Sequence, residues 1–353
     1  MIRAEKPATP LPANALAAPG SPLVAPPVPV WAVPRGPVEN AAHAAFLAGA
    51  ALNSLDNLVR SEPLWAGAWR QRLALKCAAA AIKRAGRTED ETVLRDALLL
   101  ARPGDRGLGE GSMTLGAAGL GSTSLGSPSL GPAGSILAAW RQLASKRSPL
   151  DAGTVKNIVE LLGLRWDAAF AALPEQVEAL RADAEQAAPF AAAAIAAKIH
   201  AARPDAELLA WWLADWMLAQ KLRWPRPVPL LMAQVFTPAF RTSDGRVKRI
   251  RPGEQKDFER AVCLALARGA ADACRLGAEM ARRAERLVAI APKLRAKGAP
   301  DAIRLLLDDD AVSGALVTRN LSRFASRRLF ERLHSLDAVR ELSGRSTFRI
   351  YGL

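Results

Sequence analysis

Cysteine is nearly absent. Cys77, Cys263 and Cys274 are the only three, an odd and widely spaced set that excludes a disulfide framework and a four-thiolate metal site, so a reducing compartment is expected. Histidine is as scarce: His43, His200 and His334 lie far apart. No His-Glu-x-x-His, Cys-x-x-Cys, Gly-x-Ser-x-Gly or phosphate-binding lysine motif accompanies them. The sequence therefore names no catalytic residue, cofactor or metal ligand. Long apolar runs are missing too. The stretch 187–197 stops at Lys198 and the stretch 208–218 is interrupted by Asp215, both short of the roughly 20 residues a spanning helix needs. Pro7, Pro10, Pro12 and Pro19 break the N-terminal apolar residues, so no secretory core forms. A soluble, cytoplasmic bacterial-type protein without a membrane partner is expected.

What the chain does have is length and positive charge. Its 353 residues leave room for about two ordinary domains. Lys plus Arg number 48 against 34 acids, a formal charge of +14, while half the residues are hydrophobic. That balance fits neither a disordered polyelectrolyte nor an acidic binder. Three regions are expected. Residues 1–38 form a proline-rich arm, with ten prolines between Pro7 and Pro37; each removes a backbone donor, so the arm should be extended and mobile. Residues 39–298 form a helical body, interrupted at 106–134 by a flexible Gly/Ser/Leu-rich insertion in which a Gly-Ser-x-x-Leu unit recurs. Residues 299–353 form a separate module.

Within the body, Phe46, Leu47, Leu52, Leu55, Leu58 and Val59 recur at helical steps before Pro63. Trp65, Trp69, Leu73, Cys77 and Ala81 mark a second helix stopped by Gly86. Thr88, with Glu91 three residues on, predicts the capping box of a third. Gly163, Pro174, Pro189, Pro204 and Pro225 punctuate the rest. Leu208, Leu209, Trp212 and Trp216 line one face of a strongly amphipathic segment, a tryptophan stripe read as core. A long helix over 253–291 should carry Cys263 and Cys274 as buried structural thiols. Asp308, Asp309 and Asp310 read as a solvated helix end, because adjacent helical residues do not converge on one cation.

The C-terminal pattern is the most specific. Ala302, Ile303, Leu306 and Leu307 predict one short helix, 314–321 a second, and Ser322 caps a third through Leu336. Strands over 339–342 and 347–351 follow, joined by a Ser-Gly-Arg turn. Three helices and a short β-hairpin are the order of a winged helix-turn-helix. The fold class expected is thus mainly α: a multi-helix body with a C-terminal winged helix-turn-helix. On the third helix Ala325, Leu329, Leu333 and Leu336 should face the core, leaving Arg323 and Arg327 for the major groove. From Ser313 onward there are eight arginines, no lysines and three acids. In this reading Arg319, Arg345 and Arg349 grip phosphate, while Arg323, Ser326 and Arg327 approach base edges of double-stranded DNA. Glu331, one turn after Arg327, counts against it. Arg282, Arg283, Arg286, Arg246 and Lys248 could extend a phosphate-binding surface or simply face solvent. Two other readings stay open. One is a scaffold for protein partners or a second copy, favoured if Arg323 and Arg327 are buried. The other is an enzyme, which needs a deep pocket joining acidic and histidine side chains.

Several motifs together resemble a known family. They are Trp65-Ala-Gly-Ala-Trp-Arg-Gln-Arg-Leu-Ala-Leu75, Arg102-Pro-Gly-Asp105, Trp224-Pro with Pro229-Leu-Leu231, Leu294-Arg-Ala-Lys-Gly-Ala299, and Arg327-Arg-Leu-Phe-Glu-Arg-Leu333 with Phe348-Arg-Ile-Tyr-Gly352. From about Ala41 to Leu353 the chain looks like the bacterial domain-of-unknown-function family 1403, which implies a helical cytoplasmic protein and no catalytic residues. The last fifty or so residues also resemble winged-helix tails of bacterial regulators and of some Fic-type adenylyltransferases. The Fic catalytic run is missing, so adenylyl transfer is not implied, and a shared fold says little about a target.

Overall fold

The computed structural model describes residues 27–100, 131–145, 150–241, 249–252, 255–343 and 348–353. The amphipathic repeats form helices largely where their spacing places them: α1 (Ala41–Ser61), α2 (Ala66–Arg84) and α3 (Glu91–Leu100). Asn40 starts α1 by accepting the His43 amide at 2.9 Å, and Glu62, at φ 38°, ends it before Pro63. Gly86, at φ 77°, follows α2. The cap of α3 is Asp90 rather than Thr88: its Oδ1 accepts the amides of Thr92 at 3.0 Å and Val93 at 2.9 Å. A carboxylate there also faces the positive end of the helix dipole, which a threonine hydroxyl cannot match.

The helical body continues with α4 (Gly131–Ser145), which begins inside the last positions of the expected insertion; the rest of that insertion, 106–130, lies outside the described residues. Then come α5 (Ala152–Leu161), α6 (Ala168–Ala171), α7 (Leu173–Ala182), α8 (Ala188–Ala202), α9 (Glu207–Lys221), α10 (Leu231–Gln234) and α11 (Gln255–Ile290). Asp151 and Asp167 cap α5 and α6 through the amides of Thr154 and Phe170. Pro174 and Pro189 occupy first-turn positions of α7 and α8, where a missing N–H costs nothing. The structure is mainly α-helical.

Long α11 is the spine: α1 lies along it, α8 and α10 pack beside it, and the α2/α4 and α8/α9 pairs complete the layers. Tryptophans stitch these helices together. Buried Trp69 donates Nε1 to the Ala273 carbonyl at 2.9 Å, and buried Trp212 donates to the Ala139 carbonyl at 2.9 Å, so each large ring is packed with its one polar atom satisfied. Trp211, Trp212 and Trp216 are core, and so are Cys77, Cys263 and Cys274. Within the stretch read as an extended arm, Val30–Ala32 form a 3-10 turn on α1. Trp31 stacks on Phe46 at 5.4 Å there, and Arg260 holds the Val38 carbonyl. Residues 1–26 lie outside the described set.

The chain ends with α12 (Ala299–Asp308), β1 (Val312–Ser313), α13 (Arg323–Ser335), β2 (Arg340–Glu341) and β3 (Ile350–Gly352). The three strands form an antiparallel sheet in the order β1-β3-β2, with Val312 opposite Tyr351 and Arg340 opposite Gly352. The helix expected over 314–321 is absent. Turns replace it, closed by a bridge between Thr318 and Leu321. Gly314 explains part of this: a side chain there would meet the Tyr351 ring at 2.9 Å and the Arg349 carbonyl at 3.1 Å. Gly314 N donates to Arg349 O at 2.7 Å, and the amides of Leu316, Thr318 and Leu321 are spent on turns within the segment. The core is continuous across this region, since Leu306, Val312, Leu329, Phe330, Leu333 and Tyr351 belong to the same apolar cluster as the helical body.

Candidate functional site

Two residues of the aspartate triplet are the joint on which the C-terminal segment hangs. Asp308, the last residue of α12, is exposed as a helix end should be, but Asp309 is 8% and Asp310 3% exposed. Arg72 from α2 and Arg95 from α3 both pair with the Asp310 carboxylate, Arg95 Nε at 2.6 Å from Oδ2. Arg72 spreads further, donating to the Asp310 carbonyl at 2.8 Å and the Leu353 carbonyl at 3.2 Å. Arg141 from α4 grips Asp309 through both terminal nitrogens, at 3.0 and 3.1 Å. Burial works to raise the Asp310 carboxyl's pKa; Arg72 and Arg95 more than offset it and hold it below the ordinary range. Three helices of the body thus fix one two-residue segment. Gly67 permits it, because a Cβ there would fall 2.8 Å from the Asp308 Cα.

That joint orients α13. Phe330 stacks on Tyr351 with ring centroids 5.1 Å apart, and Ser322 caps the helix through the Ala325 amide at 3.3 Å. The buried side comprises Ser326, Leu329, Phe330 and Leu333. It is turned from the expected one: Leu336 is 43% exposed and Ala325 only half-buried, while Phe330 and Ser326 point inward. The physical reason is the sheet, which offers Tyr351 as a flat partner that an aromatic fills better than a leucine.

The predicted contact residues divide accordingly. Arg319, Arg323, Arg327 and Arg349 are exposed. Ser326 is fully buried, and its hydroxyl has no hydrogen-bond partner among the described residues, so its expected place at base edges is corrected. Arg345 lies outside the described residues, as do Arg246 and Lys248. Arg328 and Arg332, not singled out by sequence, share the exposed side of α13. At about 100° per residue, Phe324 and Arg328 occupy its centre and Arg323 and Arg327 one flank. Among the described residues, none of Arg319, Arg323, Arg327, Arg328 and Arg332 forms an ion pair. Glu331, the one acid on the helix, lies 3.9 Å from Arg349. The Tyr351 hydroxyl, then Glu341 and Glu331, hold the Arg349 pKa above its usual value.

Other groups that could carry chemistry are enclosed or dispersed. Burial pushes the Cys77 thiol well up and those of Cys263 and Cys274 to about 12, which leaves no thiolate at neutral pH. Asp215, fully buried in α9, accepts the amides of Leu230 at 2.9 Å and Leu231 at 3.1 Å and so starts α10. Burial raises its carboxyl to about 7, against the lowering by those two amides. No group of three or more metal-ligating side chains occurs among the described residues, nor any helix long and apolar enough to cross a membrane. Among the described residues, a shallow apolar recess lies over Phe170 and Ile199, and another, of about 130 Å³, is lined by Glu279, Arg282, Arg283, Arg286 and Asp337.

Comparison with known proteins gives a family and little else. No curated protein and no solved structure matches the chain. A family model described as a protein of unknown function, DUF1403, matches residues 21–125 and 123–353, which takes in both the arginine-holding helices and the C-terminal sheet. The chain belongs to the DUF1403 family of proteins of unknown function.

Proposed function

We propose that the C-terminal segment is a duplex-DNA-binding module and that the protein acts as a DNA-associated or regulatory factor. The observation that carries this reading is the exposed side of α13. Four arginines stand on it without ion-pair partners among the described residues, beside a single glutamate. In this reading the segment is a winged helix-turn-helix whose second helix is reduced to the turns before Leu321. The sheet order β1-β3-β2, with α13 entering β2, supports it. Arg323 and Arg327 approach base edges, Arg328 and Arg332 join them along the groove, and Arg319, Arg345 and Arg349 hold phosphate. Exposure of Arg323 and Arg327 is the property that separates this reading from a scaffold in which they are buried. One observation still favours the scaffold: Phe324, 74% exposed, stands in the middle of the same face, and large exposed rings often mark protein partners.

Fluorescence anisotropy of the full chain with mixed-sequence duplex, across a salt series, tests the proposal. Binding whose log-log salt slope is about −0.9 per phosphate neutralised, weakened in an Arg323→Ala/Arg327→Ala double variant, supports it. Absence of binding at low salt refutes it and moves the question to capture of a protein partner through Phe324.

A further inference from the structure

The recess between α11 and the end of α13 is unlike the other basic surfaces. Glu279, Arg282, Arg283 and Arg286 are spaced three, one and three residues apart, so they share one side of α11. Asp337 closes the recess from the turn after α13. Arg286 is already spoken for, paired with the Asp337 carboxylate and 3.4 Å from its carbonyl. Arg282, Arg283 and Arg340 form no ion pair among the described residues, and Arg283 is only half-exposed. Burial, then the positive field of Arg340, holds the Arg283 pKa below its usual range; Glu279 pulls the other way, and Arg72 and Arg282 add to the lowering. Like charges are thus gathered where water is partly excluded, and they repel unless an anion sits among them.

We propose that this recess is a binding site for a tetrahedral phosphate-type oxyanion, held by Arg282 and Arg283, which line it, with the positive charge of Arg340 beside them. At about 130 Å³ the recess accommodates a phosphate group and is too small for a nucleoside, whose pockets run to several hundred Å³. Guanidinium forks suit a tetrahedral oxyanion because two N–H groups meet two oxygens at once. Two carboxylates flank the site. Asp337 is neutralised by Arg286, and Glu279 opposes the anion's charge from the rim. The phosphate can be free in solution or part of a DNA backbone, and the site does not depend on the DNA reading of α13.

Isothermal titration calorimetry with inorganic phosphate at constant ionic strength, run beside the duplex anisotropy assay, separates these sources. Two variants are needed. Arg283→Gln/Arg340→Gln removes one lining donor and the neighbouring positive charge and is expected to weaken phosphate binding about tenfold or more. Asp337→Asn removes a flanking carboxylate and frees Arg286, so tighter binding is expected; its left-handed φ of 52° suits asparagine as well as aspartate, so this variant keeps the fold. Phosphate binding that responds to the variants while duplex affinity does not identifies free phosphate. Loss of duplex affinity in the double variant without a phosphate heat identifies the backbone. A wild type that takes phosphate but no DNA refutes the DNA reading and leaves this site standing. Phosphate binding identical in wild type and both variants overturns the proposal. So does the lack of any phosphate heat when duplex binding is absent or the same in wild type and the double variant.

Discussion

Asp310→Asn strands two guanidiniums in a place where water cannot reach them. The side chains of Arg72 and Arg95 are each 8% exposed and that of Asp310 is 5%, so the charge removed is the counter-charge for both. An asparagine keeps the shape and one acceptor but leaves the pair of cations uncompensated. Breaking a buried ion pair from one side costs about 3–5 kcal/mol, and the shared geometry places this network at the upper part of that range. With an unfolding entropy of about 2.1 cal/mol/K per residue, a chain of this size should lose roughly 5–7 °C in Tm. The loss also has a pH signature. Because the folded pKa of Asp310 is depressed, its stabilisation is fully present above the ordinary carboxylate range and disappears as pH falls through the folded value. The difference between wild type and variant should therefore be complete at neutral pH and shrink in acid. Thermal unfolding at neutral and acidic pH measures this, and hydrogen exchange should show faster opening over residues 312–343. In an Arg95→Met background the same substitution should cost clearly less, since one stranded cation has gone. A neutral-pH Tm change under about 1 °C, or full additivity with Arg95→Met, refutes the reasoning.

Asp215→Asn should act in the opposite sense. A carboxyl raised to about 7 in the folded protein keeps a proton that the unfolded chain has released above about pH 4, so wild-type stability falls as pH rises across that window; the variant escapes the fall, gaining up to about 4 kcal/mol relative to wild type above pH 7 at about 1.4 per pKa unit. Urea unfolding at pH 4.5 and pH 8 tests it, and a pH-independent difference counts against it. Gly67→Ala should destabilise by about 1–3 kcal/mol through its clash with Asp308. Gly49→Ala, with nothing within 4 Å of the new methyl, should stabilise α1 by about 0.4–1 kcal/mol; equal effects at the two sites refute the close-approach argument. Ser326→Ala deletes a buried hydroxyl without a partner among the described residues and should be neutral or stabilising by up to about 1 kcal/mol, with duplex affinity unchanged. A loss of affinity there returns Ser326 to the contact surface.

The sequence by itself determined the local structure. Periodic leucines and tryptophans, prolines at first turns and polar caps act within a few residues of themselves, so α1, α2, α9 and α11 stand where spacing puts them, and the thiols and the tryptophan stripe are buried as their surroundings required. Arg319, Arg323, Arg327 and Arg349 were legible as exposed for the same reason. Tertiary structure decided whatever depends on residues distant along the chain. Asp310 meets Arg72 and Arg95 across separations of 238 and 215 residues, which no window on the sequence joins, and only that meeting turns the end of an apparently solvated acidic triplet into a buried joint. Ser326 and Leu336 exchanged sides because β3 presents Tyr351 to α13, and the expected helix before Leu321 gave way because Gly314 at its start lies against that same strand. The recess beside Arg283 exists because Arg286 of α11 meets Asp337 in the turn after α13, and the energy of gathering those charges depends on their positions in space rather than their order in the chain.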